Sequence, residues 1–404
     1  MSRPTFFDDA RMDLGDSVEL TIRSLEEYGP RHDHWAIAYS GGKDSTTLLT
    51  VVLHLLKMGR VPSPRRLTIL YADTRMELPP LAAGAAAMLG TLRAEGLDCR
   101  TVMAEMDKRF LVYMLGRGVP PPNNNTFRWC TRQIKVDPMK LELERIAATE
   151  PGKILMLTGV RQGESAVRDQ RIAVSCGRNG GECGQGWYQE TLPESLCDTL
   201  APILHWRTCL VWDWLADLMP KDLRHGYPTK LVAQAYGQDE EGSKAEEAAR
   251  TGCNGCPLAT VDLALDTLLK TPRWAYLSPL KELRPLYRRL REPDMRLRKP
   301  GSETSSSGVV RLTNRMGPLT MEAREMGLAT VLSVQARCNE AAGDGLPRVD
   351  MLDDSEVGRI RELIDAGTWP QRWDGDEPRA DEPFERVFGD GSTQRNLFGE
   401  TWSV

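Results

Sequence analysis

Long apolar runs are missing from this 404-residue chain. No stretch approaches the ~18 consecutive apolar residues that a membrane span needs. The opening MSRPTFFDDARMD has no apolar core of the kind a secretion signal carries. The expectation is a cytoplasmic protein with no membrane partner. A surplus of either charge is also absent: 52 Lys and Arg stand against 57 Asp and Glu, for a formal net charge of -5. That excludes a surface cationic all over and leaves room for a local basic stripe. Nine cysteines make an odd, widely scattered set, which excludes a disulfide framework and implies reduced thiols, some free to bind metal. There is no internal repeat. The length exceeds what one ordinary core needs, so a main domain with additions is expected.

What the chain does have, in its first half, is alternation. Residues 35–39, 67–71, 100–104 and 153–158 are short apolar runs rich in β-branched residues, and helix-like stretches at 45–58, 79–96 and 132–148 lie between them. This pattern predicts α/β architecture, a parallel sheet with helices on both faces. Ligands of such sheets bind at the carboxyl ends of the strands. SGGKDS, YADTRME and TGVRQGES each follow a strand, so all three are expected along one edge.

In Ser40-Gly41-Gly42-Lys43-Asp44-Ser45 the strand breaks at two glycines and a helix begins. Glycines let backbone N–H groups approach phosphate oxygens, and the helix N-terminus adds partial positive charge. Lys43 supplies a point charge, Ser40 and Ser45 supply hydroxyls, and Asp44 either places Mg²⁺ or fixes the loop. The common P-loop requires Ser or Thr directly after Lys, and Asp44 stands there instead. The hexapeptide resembles the PP-loop of ATP pyrophosphatases. That resemblance implies ATP cut between its α and β phosphates, adenylylation of a substrate oxygen and release of pyrophosphate. By the same resemblance Asp73 would lie near the nucleotide; read from the residues, it is equally a helix N-cap. TGVRQGESAVRDQR resembles the GxRxxES…R segment of the phosphoadenosine-phosphosulfate reductase superfamily. Gly159 would allow close backbone approach there, and Arg161 would meet phosphate in a bidentate way. Glu164 and Arg168 are spaced to pair on one helical face, for a salt bridge or for catalysis. Lys43, Asp44 and Arg161 are the catalytic candidates. The tryptophans of APILHWRTCLVWDWL mark the fold.

Cys253 and Cys256 form a C-x-x-C pair, which by spacing serves zinc, a redox dithiol or an iron–sulfur centre. Cys130, in FRWCTRQIKVDPMK, resembles the point where iron–sulfur reductases of this superfamily carry a Cys-Cys doublet; Thr131 replaces the second cysteine. The resemblance implies Cys130, Cys253 and Cys256 as ligands of a [4Fe–4S] cluster, with zinc the alternative. Cys176 or Cys183 would be the fourth ligand, or one iron stays open. Cys99, Cys197, Cys209 and Cys338 read as buried hydrophobes.

Residues 35–365 most resemble DNA phosphorothioation proteins of the DndC/SspD type, with PLKELRPLYRRL and GPLTMEAREMGLATVLSVQ as further points of likeness. This implies ATP-dependent sulfur insertion into a DNA backbone phosphate, in bacterial defence. Its partners would be DNA, a cysteine desulfurase as sulfur donor and other phosphorothioation proteins. A tRNA-thiolating PP-loop enzyme is the alternative, followed by a sulfonucleotide reductase, an ATP sulfurylase-like enzyme or a non-enzymatic nucleotide sensor. The expected organisation is a PP-loop domain over 1–235 and a C-x-x-C and basic helical module over 236–300. A helical region follows over 309–365, with helices at 318–340 and 353–365, and then an acidic, loosely held tail over 366–404. Residues 273–299 carry nine Lys and Arg against three acids. Arg284, Arg288 and Arg289 there are the candidate DNA contacts, and Trp274, Tyr276 and Tyr287 the candidate stacking platforms.

Overall fold

The computed structural model describes residues 12–123, 127–149, 152–162, 187–189, 196–218, 226–237, 253–259, 261–299, 302–304, 310–312, 315–382, 385–387 and 393–395. At its centre five parallel strands run in the order β3-β2-β1-β4-β6, with β5 antiparallel at the β6 edge. The strands are β1 (His34–Tyr39), β2 (Arg66–Ala72), β3 (Asp98–Val102), β4 (Ile154–Leu157), β5 (Trp187–Gln189) and β6 (Cys197–Ala201). Ile37 of β1 lies between Ile69 of β2 and Leu157 of β4. All three are buried, as continuous apolar strands covered on both faces should be. The helices α1 (Leu14–Tyr28), α2 (Lys43–Lys57), α3 (Pro79–Ala94) and α4 (Asp137–Thr149) flank this sheet. This is the α/β fold of PP-loop proteins.

Two elements of this layer lie outside the apolar runs and helix-like stretches read from the sequence. The helix α1 starts from a reciprocal cap, with the Asp16 N–H donating to Asp13 Oδ1 at 2.8 Å and the Asp13 N–H to Asp16 Oδ2 at 3.1 Å. The strand β6 carries a buried charge: Asp198 accepts from Lys153 Nζ at 3.1 Å, and its other oxygen lies 2.9 Å from His32 Nε2. An ion inside a strand is tolerated only with such partners. A sequence window sees the charge and not the partners.

The C-terminal region is helical and cysteine-bearing, as expected. The helix Met321–Ala341 is capped by Thr320, whose hydroxyl accepts from the Ala323 N–H at 3.2 Å. The helix Asp354–Asp365 is capped by Asp353 and Glu356. Its residues join the sheet in one continuous buried cluster that includes Leu25, Ile37, Leu290, Val331 and Ile360. The described start of the acidic tail is held rather than loose. The Ala380 N–H donates to the Arg296 carbonyl at 2.7 Å, the Arg298 N–H to the Pro378 carbonyl at 2.9 Å, and Lys299 lies over the Trp373 ring.

The basic stretch 273–299 needs correction. Trp274, Tyr276 and Tyr287 are buried, at 1%, 7% and 1% exposure, so none presents a face on which a base could stack. Arg289 is paired with Asp294 and Glu292, and Arg284 donates to the Ala259 carbonyl at 2.6 Å. Aromatic residues interleaved with cations here follow helical packing, with rings inward and long basic stems outward. The four cysteines outside the candidate ligand set also divide: Cys338 is buried, Cys99 and Cys197 are half-buried, and Cys209 is exposed.

Candidate active site

The SGGKDS turn leaves β1 at its carboxyl end. Gly41 adopts φ +74°, and a side chain there would meet Ala85 Cβ at 3.1 Å, so glycine alone fits both the turn and the approach of α3. Gly42 opens α2 without any side-chain cap. An uncapped helix start on the ligand edge of a parallel sheet is an anion-binding arrangement. Inside the turn, Ser45 Oγ lies 3.0 Å from Ser40 Oγ and donates to the Gly42 carbonyl at 3.1 Å, which closes the loop on itself.

Lys43 and Asp44 are held from outside. Lys43 Nζ lies 3.0 Å from Asp44 Oδ2, and the buried Arg161 donates from Nε to Asp44 Oδ1 at 2.6 Å. Arg161 also donates to the Trp206 carbonyl at 2.9 Å, so one guanidinium ties β4, the PP-loop and the segment after β6. Both Asp44 oxygens therefore face cations, and its role in this geometry is to fix the loop. Tyr236 was not foreseen here: its hydroxyl accepts from the Lys43 N–H at 3.3 Å and its ring lies under Lys43 Nζ at 5.3 Å. No motif surrounds that tyrosine.

Gly159 lies against this turn. A Cβ there would stand 2.9 Å from the Asp44 carbonyl carbon and oxygen and 3.0 Å from the Ser45 nitrogen. Gly159→Ala is therefore expected to push the loop bodily, because backbone cannot move aside as a flexible side chain does. Stability should fall by about 1–3 kcal/mol, the usual range for overpacking. Affinity for the α,β-methylene analogue of ATP, measured by calorimetry, should fall by at least tenfold if a loop misplaced by about 1 Å loses its fit.

Asp73 follows β2 on the same edge, with its N–H donating to the Val102 carbonyl at 2.9 Å. It caps no helix, since α3 begins from Leu78. One carboxylate oxygen accepts from the Arg75 N–H at 2.9 Å, and among the described residues the other has no partner. Glu164, Arg168, Cys176 and Cys183 lie outside the described residues.

Cys130, Cys253 and Cys256 come together beyond the β2 loop, although 123 residues separate the first two in sequence. Burial pushes the Cys253 thiol up to about 12, and Glu77, Cys256 and Cys130 add to the rise while Lys135 opposes it. The Cys130 thiol is also raised, chiefly by burial, with Thr131 and Arg128 opposing and Cys256 adding. Metal binding must remove these protons, so thiols raised in this way bind metal with strong pH dependence. The C-x-x-C loop is pinned to the β2 loop by Asn254, whose N–H donates to the Met76 carbonyl at 2.6 Å and whose Nδ2 donates to the Glu77 carbonyl at 2.7 Å.

Among the described residues no group of three or more His, Cys, Asp and Glu side chains is placed to hold a metal ion. The three thiols are nevertheless close enough for their charges to interact. Beside Cys253 and Cys256 the Tyr287 hydroxyl is buried without a hydrogen-bond partner. A buried hydroxyl left unsatisfied is costly, and an anionic guest between the thiols would relieve it.

Residues 34–221 match the family model of the phosphoadenosine phosphosulfate reductase domain. No curated protein matches the chain. Among solved structures, the U34-tRNA thiolase NcsA from Methanococcus maripaludis with its [4Fe-4S] cluster aligns at 14% identity and TM-score 0.34, over 69% of this chain and 79% of that one. The Candida glabrata FMN adenylyltransferase, in complex with FMN and the ATP analogue AMPCPP, aligns at 14% identity and TM-score 0.31. That alignment covers 53% of this chain and 60% of the adenylyltransferase. Likeness at this level is too slight to carry over either protein's activity. Among the described residues no helix is long and apolar enough to cross a membrane.

Proposed function

We propose that this chain is an ATP pyrophosphatase that transfers AMP onto a non-bridging oxygen of a DNA backbone phosphate, for replacement by sulfur. The observation that carries the reading is the complete SGGKDS turn, its Asp44 locked by Arg161, on the ligand edge of a reductase-like domain. A phosphate oxygen is a poor leaving group, and adenylylation makes it a good one. The oxygen attacks the α-phosphorus of ATP, and the bond to pyrophosphate breaks. Lys43 and the uncapped start of α2 would hold the phosphate charge that develops. Arg161 and Asp44 would keep that loop rigid. Mg²⁺ would be met by Asp73, whose second oxygen is available. Persulfide sulfur from the donor is first reduced to sulfide by two electrons from an external thiol, which ends as a disulfide; the sulfide then attacks the activated backbone phosphorus, and AMP leaves with the former phosphate oxygen.

Cys130, Cys253 and Cys256 would hold an iron–sulfur cluster, with zinc the alternative, and the cluster would supply a place to hold sulfur delivered by a cysteine desulfurase. The DNA target, that donor and other phosphorothioation proteins as partners rest on the resemblance of PLKELRPLYRRL and GPLTMEAREMGLATVLSVQ. The test combines two measurements. Protein purified without oxygen is assayed for pyrophosphate and AMP release with and without DNA, and phosphorothioate linkages are counted in cells that lack the gene. ADP as product would overturn the pyrophosphatase. Loss of tRNA thionucleosides with DNA sulfur intact would assign the acceptor to tRNA instead.

A further inference from the structure

One residue near the candidate nucleotide edge has a backbone that its own side chain does not favour. Arg75 sits at φ +62°, in the left-handed region, where a non-glycine residue stays only if its surroundings impose it. The surroundings are acidic and come from the far end of the chain. Arg75 donates to both oxygens of Asp350, at 2.7 and 3.0 Å, and to Glu356 Oε2 at 2.9 Å, with Asp353 at 3.4 Å. Glu356 is 1% exposed and also accepts from Arg109 at 3.1 Å. The cage is fixed in turn: Gln335 Oε1 accepts from the Met351 N–H at 2.7 Å and the Leu352 N–H at 3.0 Å, and Asn339 Oδ1 accepts from the Val349 N–H at 2.8 Å.

The strained residue governs its neighbour. Its own N–H holds Asp73 Oδ1 at 2.9 Å, and among the described residues the other oxygen of Asp73 has no hydrogen-bond partner. Three residues further on, Asn254 grips the Met76 and Glu77 carbonyls from the thiol loop. Six residues, 73–78, thus have the nucleotide edge at one end, the thiol loop at the other and the C-terminal acids between.

We propose that Arg75 is a positioning residue for the nucleotide site: the acids at and just before the start of the helix Asp354–Asp365 hold its left-handed backbone, and that backbone aims Asp73 at the metal of the bound nucleotide. Asn254 sets the other end of the same segment, so the thiol loop acts on Asp73 through it. The inference rests on the proposed nucleotide site and goes beyond it by assigning control of that site to residues that never touch the nucleotide.

The readout is the Mg²⁺ concentration that half-saturates binding of the α,β-methylene analogue of ATP, measured beside the melting temperature. Arg75→Gly permits the left-handed backbone without strain but removes the side chain by which the cage imposes it, so residue 75 is free to leave that conformation. It should raise the half-saturating Mg²⁺ about tenfold or more, as loss of alignment does, with little change at saturating Mg²⁺. Asp350→Asn, at a position 59% exposed, removes one arm of the cage without endangering the fold and should shift the same quantity in the same direction, by less. Asn254→Ala should also raise it. A role confined to stability would lower the melting temperature and leave the Mg²⁺ dependence untouched, which overturns the proposal. Wild-type Mg²⁺ dependence in Arg75→Gly overturns it too, while the nucleotide reading stands. A wild-type protein that binds no nucleotide overturns both.

Discussion

Lys43→Ala is expected to keep its fold and lose pyrophosphate release by about 10²–10³-fold, the usual consequence of removing one preorganised electrostatic contact at a developing charge. The side chain is 9% exposed and lies on the first turn of α2, between Asp44 and the Tyr236 ring. Its removal leaves Arg161 still holding Asp44 at 2.6 Å, so the loop should keep its path. The expected signature is therefore a fall in turnover with an unchanged melting temperature and AMP, not ADP, among any residual products. Arg161→Ala should behave differently. It strips a charged partner from Asp44 and a donor from the Trp206 carbonyl at once, so activity and stability should fall together. Turnover of Lys43→Ala within a factor of two of the unaltered protein would remove Lys43 from the chemistry.

Cys130→Ser, Cys253→Ser and Cys256→Ser are each expected to lose iron and acid-labile sulfide from anaerobically purified protein. The loss should exceed the 10–100-fold in affinity that even outer-shell changes typically cost. Cys209→Ser is the control, because that thiol is exposed. The unaltered protein should be brown and bleach in air, as an oxygen-exposed cluster does. Burial first, and then Glu77 and its two cysteine neighbours, raise the Cys253 thiol to about 12, so metal retention by the unaltered protein should weaken as the pH falls. Joint replacement of Cys176 and Cys183 decides whether either completes the ligand set. A colourless protein with stoichiometric zinc, lost from the same three variants, would make the centre a zinc site. Retention of iron in Cys253→Ser would sink the assignment of that ligand.

What could be read from the chain alone was whatever is local. An apolar strand, two glycines and an amphipathic helix within about twenty residues announce a strand–turn–helix unit, and four such apolar runs announced the parallel sheet. β6 was hidden, because Asp198 breaks the apolar run and its partners His32 and Lys153 come from distant segments. The basic, aromatic stretch misled for a related reason. Composition counts rings and charges, while the faces on which they fall are decided by packing, and packing turned Trp274 and Tyr287 inward.

At the site the same division holds. SGGKDS and the glycine two residues before Arg161 are contiguous chemistry, legible because the phosphate-type turn needs those residues in that order. That Asp44 is tied by two cations, that Gly159 touches its backbone, and that Tyr236 supports Lys43 are contacts between residues scores of positions apart. The cage around Arg75 is the extreme case, with partners 275 and 281 residues away. The sequence by itself determined the class of fold and the turn on its ligand edge, since both follow from short-range periodicity and backbone freedom. Only the tertiary structure decided which carboxylate is occupied and which is free, because a charge finds its partner through space, and no local pattern records how the chain returns.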